Sequence, residues 1–147
     1  MNHQKSRWTE VLTYILAFVY TYTAISKWYD WEATKWSIYN QVFPEWSSVI
    51  VLYTLPAIEL VLALLLLNGR TRLLALWISL FLLSIFTAYI GMIMLGVFQR
   101  VPCSCGGVIS ALGWNEHLVF NFFLLAANIW AIFKGKQNKE QNISSIP

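Results

Sequence analysis

Four stretches of the chain are dominated by apolar residues, at 8–26, 49–67, 73–98 and 116–133, with polar segments between them. A bilayer core about 30 Å thick needs roughly 20 mostly apolar residues per helix, so each stretch has the length of a membrane span. The second and third are apolar on every side and lack the polar face of a surface helix of a soluble protein. The first is the most polar, with Thr13, Tyr14, Tyr20, Thr21, Tyr22 and Thr23 inside it. Its basic start and its Ala24-Ile25-Ser26 end have the outline of a secretion leader, but its tyrosines are too many for a leader core. The pattern therefore predicts an all-α polytopic membrane protein, a four-transmembrane-helix bundle. Residues 1–133 form its single domain, and residues 134–147 form a polar cytoplasmic tail without fixed structure.

The connecting segments refine this layout. Residues 27–47 are amphipathic and carry Trp28, Trp31, Trp36, Tyr39 and Trp46. Helical spacing of Trp28, Trp31, Lys35 and Tyr39 predicts a short helix lying flat at the membrane interface, ended by Pro44. Asn68-Gly69-Arg70-Thr71-Arg72 reads as a tight turn, and Thr87 with Gly91, four apart, as a site of close helix approach. Residues 99–115 form the last loop. Asn115 is placed to cap the fourth span, with Glu116 near the positive end of its dipole.

Composition agrees with the spans. The chain is 58% hydrophobic and 12% charged, where soluble domains average about 45–50% and 25%. Four spans use most of the 147 residues, which leaves no room for a separate soluble domain. The net charge of +3 makes no basic stripe interleaved with aromatics, so a nucleic-acid partner is excluded. The basic residues instead set orientation. Lys5, Arg7, Arg70, Arg72, Lys134, Lys136 and Lys139 fall on one side of the four-span layout; Lys27, Lys35 and Arg100 fall on the other, diluted by Asp30, Glu32 and Glu45. The positive-inside rule then puts both termini in the cytoplasm of a cell inner (plasma) membrane, and the 27–47 and 99–115 loops outside it, periplasmic or extracellular.

The chemistry-bearing residues are few. Cys103 and Cys105 are the only cysteines, and this topology puts them on the oxidising side, where thiol pairs become disulfides. A disulfide needs Cα atoms about 4.4–6.8 Å apart. An extended Cys-x-Cys, at about 3.3–3.6 Å per residue, lies at or past that limit. Pro102 and Gly106-Gly107 are residues that build the turn needed to shorten it. So small a loop gains little chain-entropy stabilisation from a disulfide, and a strained disulfide is of the reducible kind. Arg100, the start of the fourth span and His117 on its first turn all favour a thiolate. Two other readings stand beside the dithiol: inert packing residues, and a soft-metal site in which His117 joins the two thiolates. Glu59 lies mid-span, where an ionisable group marks a relay, a binding site or an interhelical bond. No cationic partner is evident in the neighbouring spans, so the expectation is a neutral acid, held by a Tyr or Thr of the first span or moving protons. Lys27, at the outer end of the first span, reads as an anchor that snorkels to the interface.

Three segments resemble the MauE/DoxX group of small redox-associated membrane proteins, and within it the methylamine-utilisation MauE branch. They are Thr23-Ala24-Ile25-Ser26-Lys27, Leu55-Pro56-Ala57-Ile58-Glu59-Leu60, and Cys103-Ser104-Cys105-Gly106-Gly107 with the loop to Trp114. The similarity covers roughly residues 10–133, in the same order on the same four spans. The chain departs from the group at Ser104, where glycine is usual between the cysteines, and at Gly106, where phenylalanine follows them. The resemblance implies membrane redox chemistry and, for the MauE branch, maturation of the disulfide-rich small subunit of methylamine dehydrogenase. Joined to the residues, it implies a thiol–disulfide oxidoreductase whose Cys103 and Cys105 exchange disulfides with an exported protein partner, with Glu59, Arg100, His117 and Lys27 in support. Electrons would pass to a quinone in the bilayer or to a second redox protein. The rival readings are a scaffold or maturation factor with no turnover, and a cysteine-based metal carrier.

Overall fold

The computed structural model describes residues 3–41, 44–97 and 113–144. They form five helices: α1 (His3–Tyr29), α2 (Trp31–Tyr39), α3 (Glu45–Leu67), α4 (Arg72–Met94) and α5 (Trp114–Ser144). Three are long and apolar enough to cross a membrane: α3, α4 and the Asn115–Gln137 part of α5. At 23 residues each, α3 and α4 measure about 35 Å at 1.5 Å per residue. α1 is longer, at 27 residues, but its threonines and tyrosines keep it out of that set, so among the described residues three helices have the length and apolarity of a span where four were expected.

The helices bury one another and leave an apolar exterior. α1 packs mainly on α3 and α5, and α4 mainly on α5. Ala17, Ala24, Ala63, Ala75 and Ala131 are all buried; small side chains let backbones approach, which is how helices associate in lipid. Leu16, Leu62, Leu66, Leu76 and Leu124 fill the space between them. Large apolar side chains point outward instead, with Phe18, Phe81 and Phe123 exposed by 71, 69 and 74%. A water-soluble protein rarely shows so much contiguous apolar surface; lipid-facing helices require it.

Hydroxyls inside the helices bond to their own backbone, as at Thr13 to the Thr9 carbonyl at 2.7 Å and Thr21 to Ala17 at 2.8 Å. The α3–α4 turn closes in the same way. Arg70 N–H donates to Asn68 Oδ1 at 3.1 Å, and the Thr71 hydroxyl and Arg72 Nε donate to the Leu65 and Leu66 carbonyls at 2.8 and 3.4 Å. Those are carbonyls that a helix end leaves without partners.

A buried polar knot joins α1, α4 and α5. Tyr20 Oη and Asn128 lie 2.8 and 2.6 Å from Ser79 Oγ. The amide orientation that satisfies every polar atom of Asn128 lets its nitrogen donate to the Leu76 carbonyl at 3.1 Å, while its oxygen accepts from Ser79 Oγ and from Leu80 N–H at 3.3 Å. Ser79 and Asn128 are fully buried.

Several expected boundaries move. The expected third span, drawn to residue 98, ends as α4 at Met94. Gly96, at φ 66°, takes the left-handed conformation, and Gly96 and Val97 N–H donate to the Ile93 and Met92 carbonyls, both at 3.1 Å; this is a glycine-stopped helix end. The short interfacial helix exists as α2, but it ends at Tyr39, before Pro44, which instead precedes the first turn of α3. α2 also packs on α3 and buries Thr34, Ser37 and Ile38. Asn115 lies inside α5 rather than capping it, and α5 continues to Ser144, so the tail expected to lack structure from residue 134 is helical that far. Among the described residues a Cβ at Gly91 would meet nothing within 4 Å, so no described helix approaches closely there.

Because Ser79 is the hub of the knot, Ser79→Ala should lower stability by about 1 kcal/mol, the scale of interhelical hydrogen bonds in membranes. Tyr20→Phe should cost little further in that background, since its partner is already gone. Leu66→Ala should cost about 2–5 kcal/mol through the cavity it leaves, and Phe81→Ala almost nothing. Unfolding by sodium dodecyl sulfate from mild-detergent micelles measures all four.

Candidate functional site

α1 and α3 meet at two charged side chains. Lys27 is on the last turn of α1, and Glu59 is on α3, one turn past Pro56. Lys27 Nζ donates to both carboxylate oxygens of Glu59, at 2.9 and 3.0 Å, and to the Thr23 carbonyl at 3.3 Å. The Thr23 hydroxyl donates to the Tyr20 carbonyl at 3.1 Å. Side-chain exposure is 10% for Lys27 and 6% for Glu59.

This corrects two expectations. Lys27 does not snorkel to the surface, because its ammonium turns inward to Glu59. Glu59 is not without a cation, because the lysine at the end of α1 reaches it. The sequence hid the pairing because 32 residues separate the two side chains, and only the antiparallel packing of α1 on α3 brings them level.

Pro56 is fully buried inside α3. It has no N–H, so the Leu52 carbonyl lacks its helical donor. Above the pair, α2 is capped by Asp30, whose Oδ1 accepts from Ala33 N–H at 3.3 Å. It is held to α3 by the Trp31 and Tyr53 rings, 5.4 Å apart, and the chain just past its end is held to α4 by a hydrogen bond from the Tyr89 hydroxyl to Gln41 Oε1.

Arg100, Cys103 and Cys105 lie outside the described residues. His117 is on the first turn of α5 as expected, and its N–H donates to the Gly113 carbonyl at 3.0 Å. Among the described residues no cluster of three or more His, Cys, Asp or Glu side chains could hold a metal. Sequence reasoning missed Asn128, Ser79, Gln41 and Tyr89. Asn128 did carry a signal, since an amide inside an apolar span must find a partner.

The fold and the buried pair define a multi-pass α-helical membrane protein with an ion pair locked between two of its helices. Its sequence matches the family model of methylamine utilisation protein MauE over residues 5–134. That match covers most of the chain, which therefore belongs to the MauE family. No curated protein and no solved structure matches the chain.

Removing one partner from a buried ion pair costs about 3–5 kcal/mol, because the other charge is left uncompensated. Lys27→Met and Glu59→Gln should each destabilise the bundle on that scale. The double variant Lys27→Met/Glu59→Leu should be more stable than either single one. A Glu59→Gln protein as stable as the parent would contradict the pair; thermal unfolding in detergent is the measurement.

Proposed function

We propose that the protein is a four-span inner-membrane thiol–disulfide redox protein, with α1 as the fourth span. Cys103 and Cys105 form a dithiol on its outer side that exchanges disulfides with an exported partner. Membership of the MauE family, together with the Cys103-Ser104-Cys105 segment that holds the chain's only cysteines, carries this reading. Two further observations support α1 as a span: its exposed Val11, Ile15, Phe18 and Ile25 present an apolar surface, and hydroxyls within it bond to its own backbone.

Orientation follows from charge. Gly135 lies against Leu73, and Lys136 sits 5.2 Å from the centre of the Trp77 ring, so α4 and α5 run antiparallel. The basic residues Arg70, Arg72, Lys134 and Lys136 then share one end of the bundle, which the positive-inside rule assigns to the cytoplasm. Val97 and Gly113, which flank the cysteine segment, belong to the opposite end, with α2 and an exposed aromatic rim of Trp28, Tyr29, Trp36, Tyr39 and Trp46.

In the exchange, one thiolate attacks a disulfide of the partner and forms a mixed disulfide, releasing one partner thiolate. The second cysteine then attacks the mixed disulfide, which leaves Cys103–Cys105 oxidised and the partner dithiol reduced. The reverse sequence oxidises the partner and loads two electrons on the pair, which a bilayer quinone or a second redox protein removes. Cys103 is the attacking residue, being nearer to Arg100. The methylamine-utilisation family points to a partner rich in disulfides.

Cys105→Ser should therefore accumulate a covalent adduct with an exported protein, seen on non-reducing gels and lost with reductant. Cys103→Ser should not trap it, and both variants should keep parental membrane levels. If neither variant trapped a partner and both kept full activity, the cysteines would be packing residues and the protein a scaffold without turnover.

A further inference from the structure

Buried polar side chains gather in the half of the bundle that holds α2. Thr34 and Ser37 on α2, Gln41 just past its end and Ser48 on α3 are all buried, in a region whose membrane-facing surface is apolar. They extend past Asp30 the run of buried polar side chains that Lys27 ends on α1. Asp30 N–H donates to the Ser26 carbonyl at 3.1 Å as α1 ends, and Thr34 N–H to the Asp30 carbonyl at 3.0 Å as α2 begins. The contact of Lys27 with Glu59 and that of Trp31 with Tyr53 show α3 running down as α1 and α2 run up. Thr34, about one turn beyond Trp31, therefore stands beside the part of α3 on the N-terminal side of Tyr53, above the ion pair.

Two polar groups at that level lack ordinary partners. Thr34 Oγ1 is buried with no hydrogen-bond partner among the described residues, and Pro56 deprives the Leu52 carbonyl of its helical donor. A buried hydroxyl without a partner is costly, whereas polar sites of this kind are where proteins hold water. α2 is also the element best able to uncover them. Its junction with α1 departs from helical geometry at Asp30, with φ −110° and ψ 67°. A ring contact holds α2 to α3, and a hydrogen bond holds Gln41, just past its end, to α4.

We propose that the seam beneath α2 is the route by which water and protons from the outer side reach the Lys27–Glu59 pair, with α2 as its cover, pivoting at Asp30. Thr34, Ser37 and the Leu52 carbonyl line the route. The Lys27–Glu59 pair is its end, where an arriving proton binds the Glu59 carboxylate and Lys27 keeps its bond to the Thr23 carbonyl. Only the side to which the seam opens rests on the orientation given under Proposed function.

The test uses full-length protein carrying Cys103→Ser and Cys105→Ser, with single added substitutions Thr34→Cys, Ser37→Cys or, as a buried apolar reference, Ala63→Cys. A charged, membrane-impermeant thiosulfonate is applied to right-side-out and to inverted vesicles. From the outer face, Thr34→Cys and Ser37→Cys should react about ten-fold or more faster than Ala63→Cys, because reaction of a covered group tracks its open population. Adding Trp31→Ala, which removes the ring contact with Tyr53, should speed Thr34→Cys further. Ser37→Cys carries the test if Thr34→Cys fails to fold, as judged by helical circular dichroism. Rates equal to that of Ala63→Cys from both faces would overturn the seam. Fast reaction from the inner face alone would overturn the orientation and, with it, outward access.

Discussion

Neither an ammonium nor a carboxylate is stable alone among lipid-facing helices, so the contact between Lys27 and Glu59 dictates much of the arrangement around it. The carboxylate can be matched only if the end of α1 stops beside the middle of α3. That requirement sets how far α1 rises against α3, turns the chain at Asp30, and leaves α2 to cover the upper part of α3 before the chain comes down again. Hydrophobic burial could not impose such a register. Lipid tails solvate leucine as well as a neighbouring helix does, and the leucines of α3 would pack nearly as well one turn higher or lower. The charges would not, because a shift of one turn, about 5.4 Å, would break both hydrogen bonds. The pair is thus better understood as fixing which bundle forms than as adding net stability, in the manner of polar residues that set register in helical assemblies.

Secondary polar contacts complete what the pair begins. The Tyr20–Ser79–Asn128 knot ties α1 to α4 and α5, so the helix positioned by Glu59 in turn positions the other two. The α3–α4 turn is closed by Arg72, whose side chain also approaches Glu10 at 4.0 Å and lies over the Tyr14 ring. α1 therefore carries a polar anchor at each level: Glu10 and Tyr14 towards its N-terminal end, Tyr20 in the middle and Lys27 at its C-terminal end. The polarity that keeps α1 from passing as a membrane span by composition is the polarity the other helices use to hold it.

The sequence was most informative where periodicity alone decides. The apolar stretches became α3, α4 and the membrane-length part of α5, and the aromatic segment between the first two stretches did contain a short helix. Ends were less legible where a local rule competed with hydropathy. Leu95 and Val97 look like a continuation of the third apolar stretch, yet the helix ends at Met94 with Gly96 in the left-handed conformation. The polar residues after Lys134 look like a loose tail, yet they carry α5 onward. Least legible were pairings across the bundle. Lys27 and Glu59 stood out separately, in two segments that resemble the family, and their meeting follows only from helix packing. Asn128 and Ser79 drew no notice, because a lone amide or hydroxyl inside an apolar run has no local sign of its partner.

The proposed chemistry and the buried pair occupy the same half of the molecule. Glu59 and Lys27 lie below α2, and the chain that carries Cys103 and Cys105 joins the ends of α4 and α5 on that side. Thiol–disulfide exchange moves protons as well as electrons, and a carboxylate held by a lysine beneath a polar seam is a group that can accept and return one. All of this depends on the two charges being in contact in a bilayer. Solid-state nuclear magnetic resonance of ¹⁵N,¹³C-labelled protein in lipid reports that contact directly, through magnetisation transfer from Lys27 Nζ to Glu59 Cδ. The account predicts a cross-peak between them that vanishes in Glu59→Gln. A Lys27 ammonium that correlates with lipid phosphate or bulk water and shows no transfer to Glu59 would contradict it.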